Sequence, residues 1–190
     1  MKKSILLSLV AILIITVAGF GQVAGKLVST KTHVKFFSTT PAEDIEANNT
    51  ATVSTINTET GEVVFSVPMQ GFEFEKAQMQ KHFNSDKFLN TKGFPKAKLT
   101  GKITNLSSIN FAEDGSYDAI VEGELTIKGK TQKISEKGTV NVKGNTVEII
   151  SKFNVTLADY GVAFKDGKPS TNIAKTVEAT IKAEYEQQGA

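Results

Sequence analysis

His82, Ser85 and Asp86 come closest, by type and spacing, to residues that could run a reaction. A base three positions before a hydroxyl, with a carboxylate beside it, falls on one helical turn, the raw material of an activated serine nucleophile. Such a trio works only when the base meets the hydroxyl and a third group orients the base. The run around it, FEKAQMQKHFNSDKFL from Phe74 to Leu89, is rich in helix formers. In that setting Ser85 reads as a helix cap and His82 as a packing or hydrogen-bonding side chain. Glu73 and Glu75, two apart, form a carboxylate pair in sequence. Glycosidases draw their two acids from different elements across a cleft, so this pair reads as a solvated edge. A metal would have to use His33 and His82 with scattered acids, since no His-x-His or His-x3-His spacing exists. His33 alternates with Lys31 and Lys35 and is expected on an outer face. The chain has no Cys, hence no thiolate, thiol nucleophile or disulfide. Its 22 basic residues are all Lys, so no guanidinium fork is available for phosphate or carboxylate. The sequence therefore assigns no catalytic residue, no metal site and no cofactor, and an esterase-type hydrolase is the weakest of the readings considered.

The formal charge of +2 belongs to the N-terminus. Lys2 and Lys3 precede an apolar run, Ile5–Val17, that is shorter than the roughly 20 residues of a membrane-spanning helix. Ala18-Gly19-Phe20-Gly21 fits a small-x-small cleavage site before Gln22. Residues 1–21 are thus expected to be a cleaved signal peptide, residues 22–190 the working domain, and the destination the periplasm or the exterior. Removing residues 1–21 leaves 20 basic and 20 acidic side chains, scattered among each other. A neutral chain of this kind lacks the basic face that a nucleic acid requires.

Period two dominates the rest. From Lys26 to Phe37 the even positions Val28, Thr30, Thr32, Val34 and Phe36 form one expected inward face. A weaker run covers Ala51–Ile56, and Val63, Phe65 and Val67 alternate after the turn Thr58-Glu59-Thr60-Gly61. Ala97, Leu99, Gly101 and Ile103 do the same against Lys96, Lys98 and Lys102. Tyr117, Ala119, Val121, Gly123, Leu125 and Ile127 lead to Lys128-Gly129, which reads as a tight hairpin turn. Further strands carry Ile134, Val140 and Val142, then Val147 to Leu157, then Val177 to Tyr185. About eight long strands, each with one apolar face, are best hidden by closing the sheet into an all-β, eight-stranded antiparallel barrel, which also removes its edges. Helix formers between Phe74 and Leu89 predict one or two short helices at one end, the second capped by Asn84 or Ser85. A further helical turn is expected at Pro41-Ala42-Glu43-Asp44.

The stretch Met79-Gln80-Lys81-His82-Phe83-Asn84-Ser85-Asp86-Lys87-Phe88-Leu89, followed by Gly93-Phe94-Pro95-Lys96-Ala97-Lys98-Leu99, resembles the YceI-like family. Val121-Glu122-Gly123-Glu124-Leu125-Thr126-Ile127-Lys128-Gly129 is similar to that family's hairpin, and Asp159-Tyr160-Gly161 and the last strand also fit. The resemblance implies an exported lipocalin-like barrel that binds an extended amphiphile, a polyisoprenoid or a fatty-acid derivative. The family's Arg-Asp before the helix is absent, since the chain reads Phe74-Glu75-Lys76-Ala77 there.

An eight-stranded barrel has room for packed side chains or one small ligand. Ala97, Gly101, Ala119, Gly123, Ala179 and Ala183 on the inward faces either leave space for an apolar tail or fit the taper of a filled core. The expected ligand walls are Leu99, Val121, Leu125, Val140, Phe153, Val155, Val177 and Ile181, with Phe36. Met79, Phe83 and Phe88 are expected at the lid. The leading reading is a protein that holds an apolar small molecule for transport, storage or sequestration. An interaction or structural barrel with a filled interior is the alternative, and a monomer and a homodimer both fit the sequence.

Overall fold

The one-sided strands pair with their neighbours in chain order until the sheet meets itself. The computed structural model describes residues 25–40, 43–162, 164–165, 168–169 and 174–187. The expected signal segment lies outside them. The strands are β1 (Lys26–Thr39), β2 (Asp44–Asn49), β3 (Val53–Asn57), β4 (Glu62–Pro68) and β5 (Phe72–Phe74). After α1 (Ala77–Asn84) come β6 (Lys96–Ile103), β7 (Gly115–Ile127), β8 (Lys130–Lys143) and β9 (Thr146–Thr156). A two-residue pair, β10 (Phe164–Lys165) with β11 (Lys168–Pro169), precedes β12 (Thr176–Glu186). Strands β12, β9, β8, β7, β6, β4, β3 and β1 follow one another around the sheet, and β1 pairs back onto β12. The result is a closed, eight-stranded antiparallel barrel, as the alternation predicts.

Two strands of the sheet lie outside that ring. The second half of β1 pairs with β2, not β3, and β2 carries β5 on its far side. Asp44 therefore begins a strand instead of ending a helical turn, while Pro41 and Ala42 fall outside the described residues. The period is hard to see in β2 because its third inward residue is Asn49. That side chain is buried and bonded at both its nitrogen and its oxygen, donating to Pro68 O and accepting from Ala51 N and Thr52 Oγ1.

β1 does not keep one face from end to end. Its register with β12 shifts between Ser29 and Lys31, a bulge that turns the chain over. Before it Leu27 and Ser29 point inward and Val28 is 56% exposed; after it Thr32, Val34, Phe36 and Ser38 point inward. Ser29 Oγ accepts from Ser54 N at 2.9 Å, so the inverted segment remains tied to β3.

Lys128 and Gly129 both have positive φ, 49° and 74°, which is the two-residue turn whose twist matches a hairpin. Gly101 and Gly123 face each other across β6 and β7. A Cβ on Gly123 would sit 2.2 Å from Thr100 O, and one on Gly101 would sit 2.8 Å from Glu122 O. These glycines allow two backbones to approach where the barrel coils tightly; they do not leave room for a guest.

On the outer faces cross-strand ions pair, among them Lys182 with Glu148 at 2.6 Å and Lys152 with Glu178 at 2.9 Å. His33 is half-buried and hydrogen-bonded through Nε2 to Asn48 Oδ1 at 2.9 Å, instead of standing free in solvent.

Candidate functional site

The two ends of the barrel are built differently. At one end Ile56, Ile103, Val140, Val147, Ala183 and Tyr185 are sealed and fill the interior. A buried hydroxyl chain runs through them, with Thr32 Oγ1 and Ser54 Oγ 3.1 Å apart and Ser54 Oγ and Tyr185 Oη 2.7 Å apart. Every member has a partner, so the polar atoms specify this end without penalty. Burial pushes the Tyr185 phenol pKa up, keeping it a neutral member of the chain.

At the other end the wall opens. β7 and β8 pair along Gly115–Ile127, but β8 and β9 pair only from Gly138 to Lys143. Below Gly138 the two strands part, and a 3-10 turn at Leu157–Tyr160 closes the gap. Gln132 Nε2 donates to Asp159 O at 2.9 Å, and Lys128 Nζ donates to Gly161 O and to Phe88 O. Lys128 thus ties the turn to the segment that follows α1. Burial lowers its pKa, as expected of an ammonium taken partly out of water.

α1 lies over this end. It stops at Ser85, whose hydroxyl donates to His82 O at 2.7 Å. The second helix expected after Asn84 does not form. Residues 85–95 instead make turns held by Asn90 N to Ser85 O and Phe94 N to Asn90 O, and by Thr91 Oγ1 to Asn84 Oδ1. Phe83 points from α1 into a cluster of rings. Its centroid lies 5.0 Å from Phe74, 5.5 Å from Phe72, 5.6 Å from Phe36 and 6.4 Å from Phe88.

Between the filled end and α1 is a cavity of about 950 Å³. That is the upper part of the range for small-molecule sites. Its deep walls are aliphatic and aromatic, including Val34, Phe65, Leu99, Phe153 and Ile181. Its polar groups are few: Ser38, Tyr160, Ser85, His82, Glu43, Lys87 and Lys98. Residues 15–185, which hold all of this barrel and cavity except the last two described residues, 186 and 187, match the model of the YceI-like domain.

The chain belongs to the YceI-like family.

Its relatives repeat the architecture at low identity. A UPF0312 protein of Shewanella denitrificans is 26% identical over 119 residues, covering 60% of this chain and 59% of the relative. The chain thus spans about three fifths of the length of that curated relative. A polyisoprenoid-binding domain from Saccharophagus degradans, implicated in plant cell wall breakdown, superposes with a TM-score of 0.72 at 14% identity, over 87% of this chain and 99% of that one. BcnA of Burkholderia cenocepacia does so with a TM-score of 0.68 at 17% identity, over 80% of this chain and 95% of that one. The YceI protein of Campylobacter jejuni gives 0.56 at 12% identity, over 73% and 81%. At these identities the likeness is one of fold.

In this YceI-like protein the cavity brings together Phe36, Met79, Phe83 and Phe88 at the lid with Leu99, Leu125, Phe153, Val155, Val177 and Ile181 along the walls. Val121 and Val140 do not line it. Both point inward, but Val140 belongs to the sealed core, and Val121 stands opposite Glu136 on β8. Of the six small residues expected on the inward faces, Ala97 and Ala179 border the cavity, whereas Ala119 and Ala183 are packed in the core. Sequence reasoning did not single out Phe72 on β5 or Val162 beyond β9, and it named Tyr160 only within the family resemblance; all three also line the cavity. Phe72 belongs to a three-residue strand too short to show a period, and the other two sit on a turn and its exit.

The serine trio is not a catalytic arrangement. Ser85 gives its hydroxyl hydrogen to the carbonyl of His82, not to the imidazole. Glu73 and Glu75 are both exposed. Among the described residues no three His, Asp or Glu side chains gather as a metal site.

Proposed function

We propose that this protein is an exported carrier that holds one extended apolar amphiphile, of the polyisoprenoid or fatty-acid class, in its barrel. The observation that carries the reading is the cavity of about 950 Å³ with aromatic and aliphatic walls, next to a barrel end that is packed solid. The same chain that fills one end completely leaves the other hollow. An apolar void forfeits the contacts of its own wall, and a guest restores them. The polyisoprenoid-binding domain of Saccharophagus degradans, whose fold this chain shares, supports the ligand class. Residues 1–21, with two lysines, an apolar run and small residues at the end, support export to the periplasm or the exterior. Phe36, Phe74 and Phe88 at the lid are only half-buried, which gives the guest a way in without opening the barrel ladder.

Native mass spectrometry of the protein purified from its own host tests the reading. A co-purifying apolar molecule of several hundred daltons, removed by organic extraction, is the expected result. A clean apoprotein that also takes up no fluorescent long-chain probe contradicts it and returns the fold to a filled structural role.

A further inference from the structure

Two hydroxyls on the cavity wall have no hydrogen-bond partner among the described residues. Ser38 and Tyr160 both line the cavity and both are buried, yet neither hydrogen-bonds to any described residue. No unpaired side-chain oxygen among the described residues is sealed inside the protein, so both hydroxyls reach accessible space, and both side chains border the cavity. They occupy the same end of it. Ser38 follows the last β1–β12 pair, Phe37 with Glu178, and Tyr160 comes shortly after the last β9–β12 pair, Thr156 with Thr176. The walls beyond them are apolar. The cavity is therefore itself amphiphilic, with hydroxyls towards the lid and hydrocarbon towards the filled end.

Tyr160 is the better placed of the two. It is 4% exposed, and the turn that carries it is held by Gln132 at Asp159 O and by Lys128 at Gly161 O. Its ring is enclosed while its oxygen stays accessible, so the phenol takes its acceptor from the space it borders. We propose that Tyr160 donates a hydrogen bond to an uncharged oxygen on the head group of the guest, so that the cavity selects amphiphiles headed by an alcohol, phenol, ketone or quinone over fatty acids of equal length. The inference rests on the reading of the cavity as a lipid site.

Electrostatics at the site favours an uncharged head. Burial, with the carboxylates of Asp159 and Glu136, pushes the Tyr160 pKa up to about 12, so it stays a neutral donor. Those carboxylates oppose an anion placed on the phenol. Lys87, Lys98 and His82 also reach the cavity wall but are exposed, and Glu43 stands among them bound to Lys76 at 2.9 Å. Ion pairs formed on such a wet rim contribute little.

The experiment sets hexadecane, hexadecanol, a methyl ketone of the same length and palmitate against one fluorescent apolar probe, on the wild-type protein and on Tyr160→Phe at neutral pH. The wild type is expected to bind the alcohol and the ketone roughly threefold to tenfold more tightly than hexadecane or palmitate. Tyr160→Phe is expected to erase that preference. Each affinity is taken relative to hexadecane on the same protein, so a general change in the cavity or in stability cancels from the comparison. Hexadecane binding without a preference for the oxygenated guests, tightest binding of palmitate, or a preference that survives in Tyr160→Phe overturns the anchor alone. Failure of every guest to displace the probe, or of the probe to bind, overturns the lipid-site reading and the anchor with it.

Discussion

Phe36 on β1 and Phe83 on α1 stack 5.6 Å apart with their planes 14° from parallel. The contact joins the barrel wall to the helix over its open end, and both rings line the cavity. Phe72 and Phe74 on β5 surround the same pair, so the two strands outside the ring serve to seat the lid. A lid held by rings can move without breaking a strand ladder. Aromatic pairs of this kind contribute about 0.5–1.5 kcal/mol each beyond the area they bury.

Phe83→Ala removes the centre of that cluster. The expected loss is about 3 kcal/mol of stability in urea unfolding, the low end for a buried Phe because the site already borders a void. Release of a bound fluorescent lipid should be faster. A folded variant with unchanged release would show that α1 does not control the opening.

Gly123→Ala puts a methyl group where Thr100 O and the Gly101 Cα stand 2.2 and 2.5 Å away, both of them backbone. Overpacking of this kind against atoms that cannot rotate aside is expected to destabilise by about 1–3 kcal/mol or more. Calorimetry on the purified variant checks it. A midpoint equal to the wild type's would mean that β6 and β7 separate freely there, against the tight coiling described above.

Glu136 and Glu148 should move acid stability in opposite directions. Desolvation raises the pKa of Glu136 in the folded protein, so ionising it opposes folding once the pH rises above the unfolded value. Glu136→Gln is therefore expected to raise the melting temperature at neutral pH, with the gain vanishing at pH values where both states are protonated. The hydrogen bond from Lys182, and a smaller one from Asn141, lower the pKa of Glu148. Its contribution is present above the unfolded carboxylate value and lost as the pH falls through the folded one. Glu148→Gln should lower the midpoint at neutral pH and approach the wild type in acid. Melting curves across that range decide both signs.

Most barrel strands were legible because they are long and one-sided, and period two survives in such strands without knowledge of their partners; the five-residue β3 shows only as a weaker run. β2 and β5 were not, since one is half polar and the other spans three residues. Thr and Ser on both faces of β1 concealed the bulge at Thr30, because a register shift among small polar residues leaves the pattern almost unchanged. The cavity walls were read from inward apolar positions, which say what faces the interior but not how far the filling extends. Val121 and Val140 show that gap: they share the inward face of Leu99 and Leu125 yet stand outside the cavity. Small residues misled in the same way. Gly101 and Gly123 mark close backbone approach, whereas Ala179 marks space, and only the distances separate the two. Tyr160 carries no period at all, being on a single turn, and its hydroxyl has no partner among the described residues.

Uptake of a fluorescent long-chain probe by the wild type and by Ala179→Phe tests the central claim most directly. Ala179 pairs with Phe36 on β1 and Phe153 on β9 and borders the cavity, so a Phe there fills space that a guest would occupy. The expected result is saturable uptake of about one probe per wild-type barrel and its loss in Ala179→Phe, with the same far-ultraviolet circular dichroism and a melting temperature no lower. Equal uptake by a folded Ala179→Phe would contradict the account, because the guest would then lie somewhere other than the cavity.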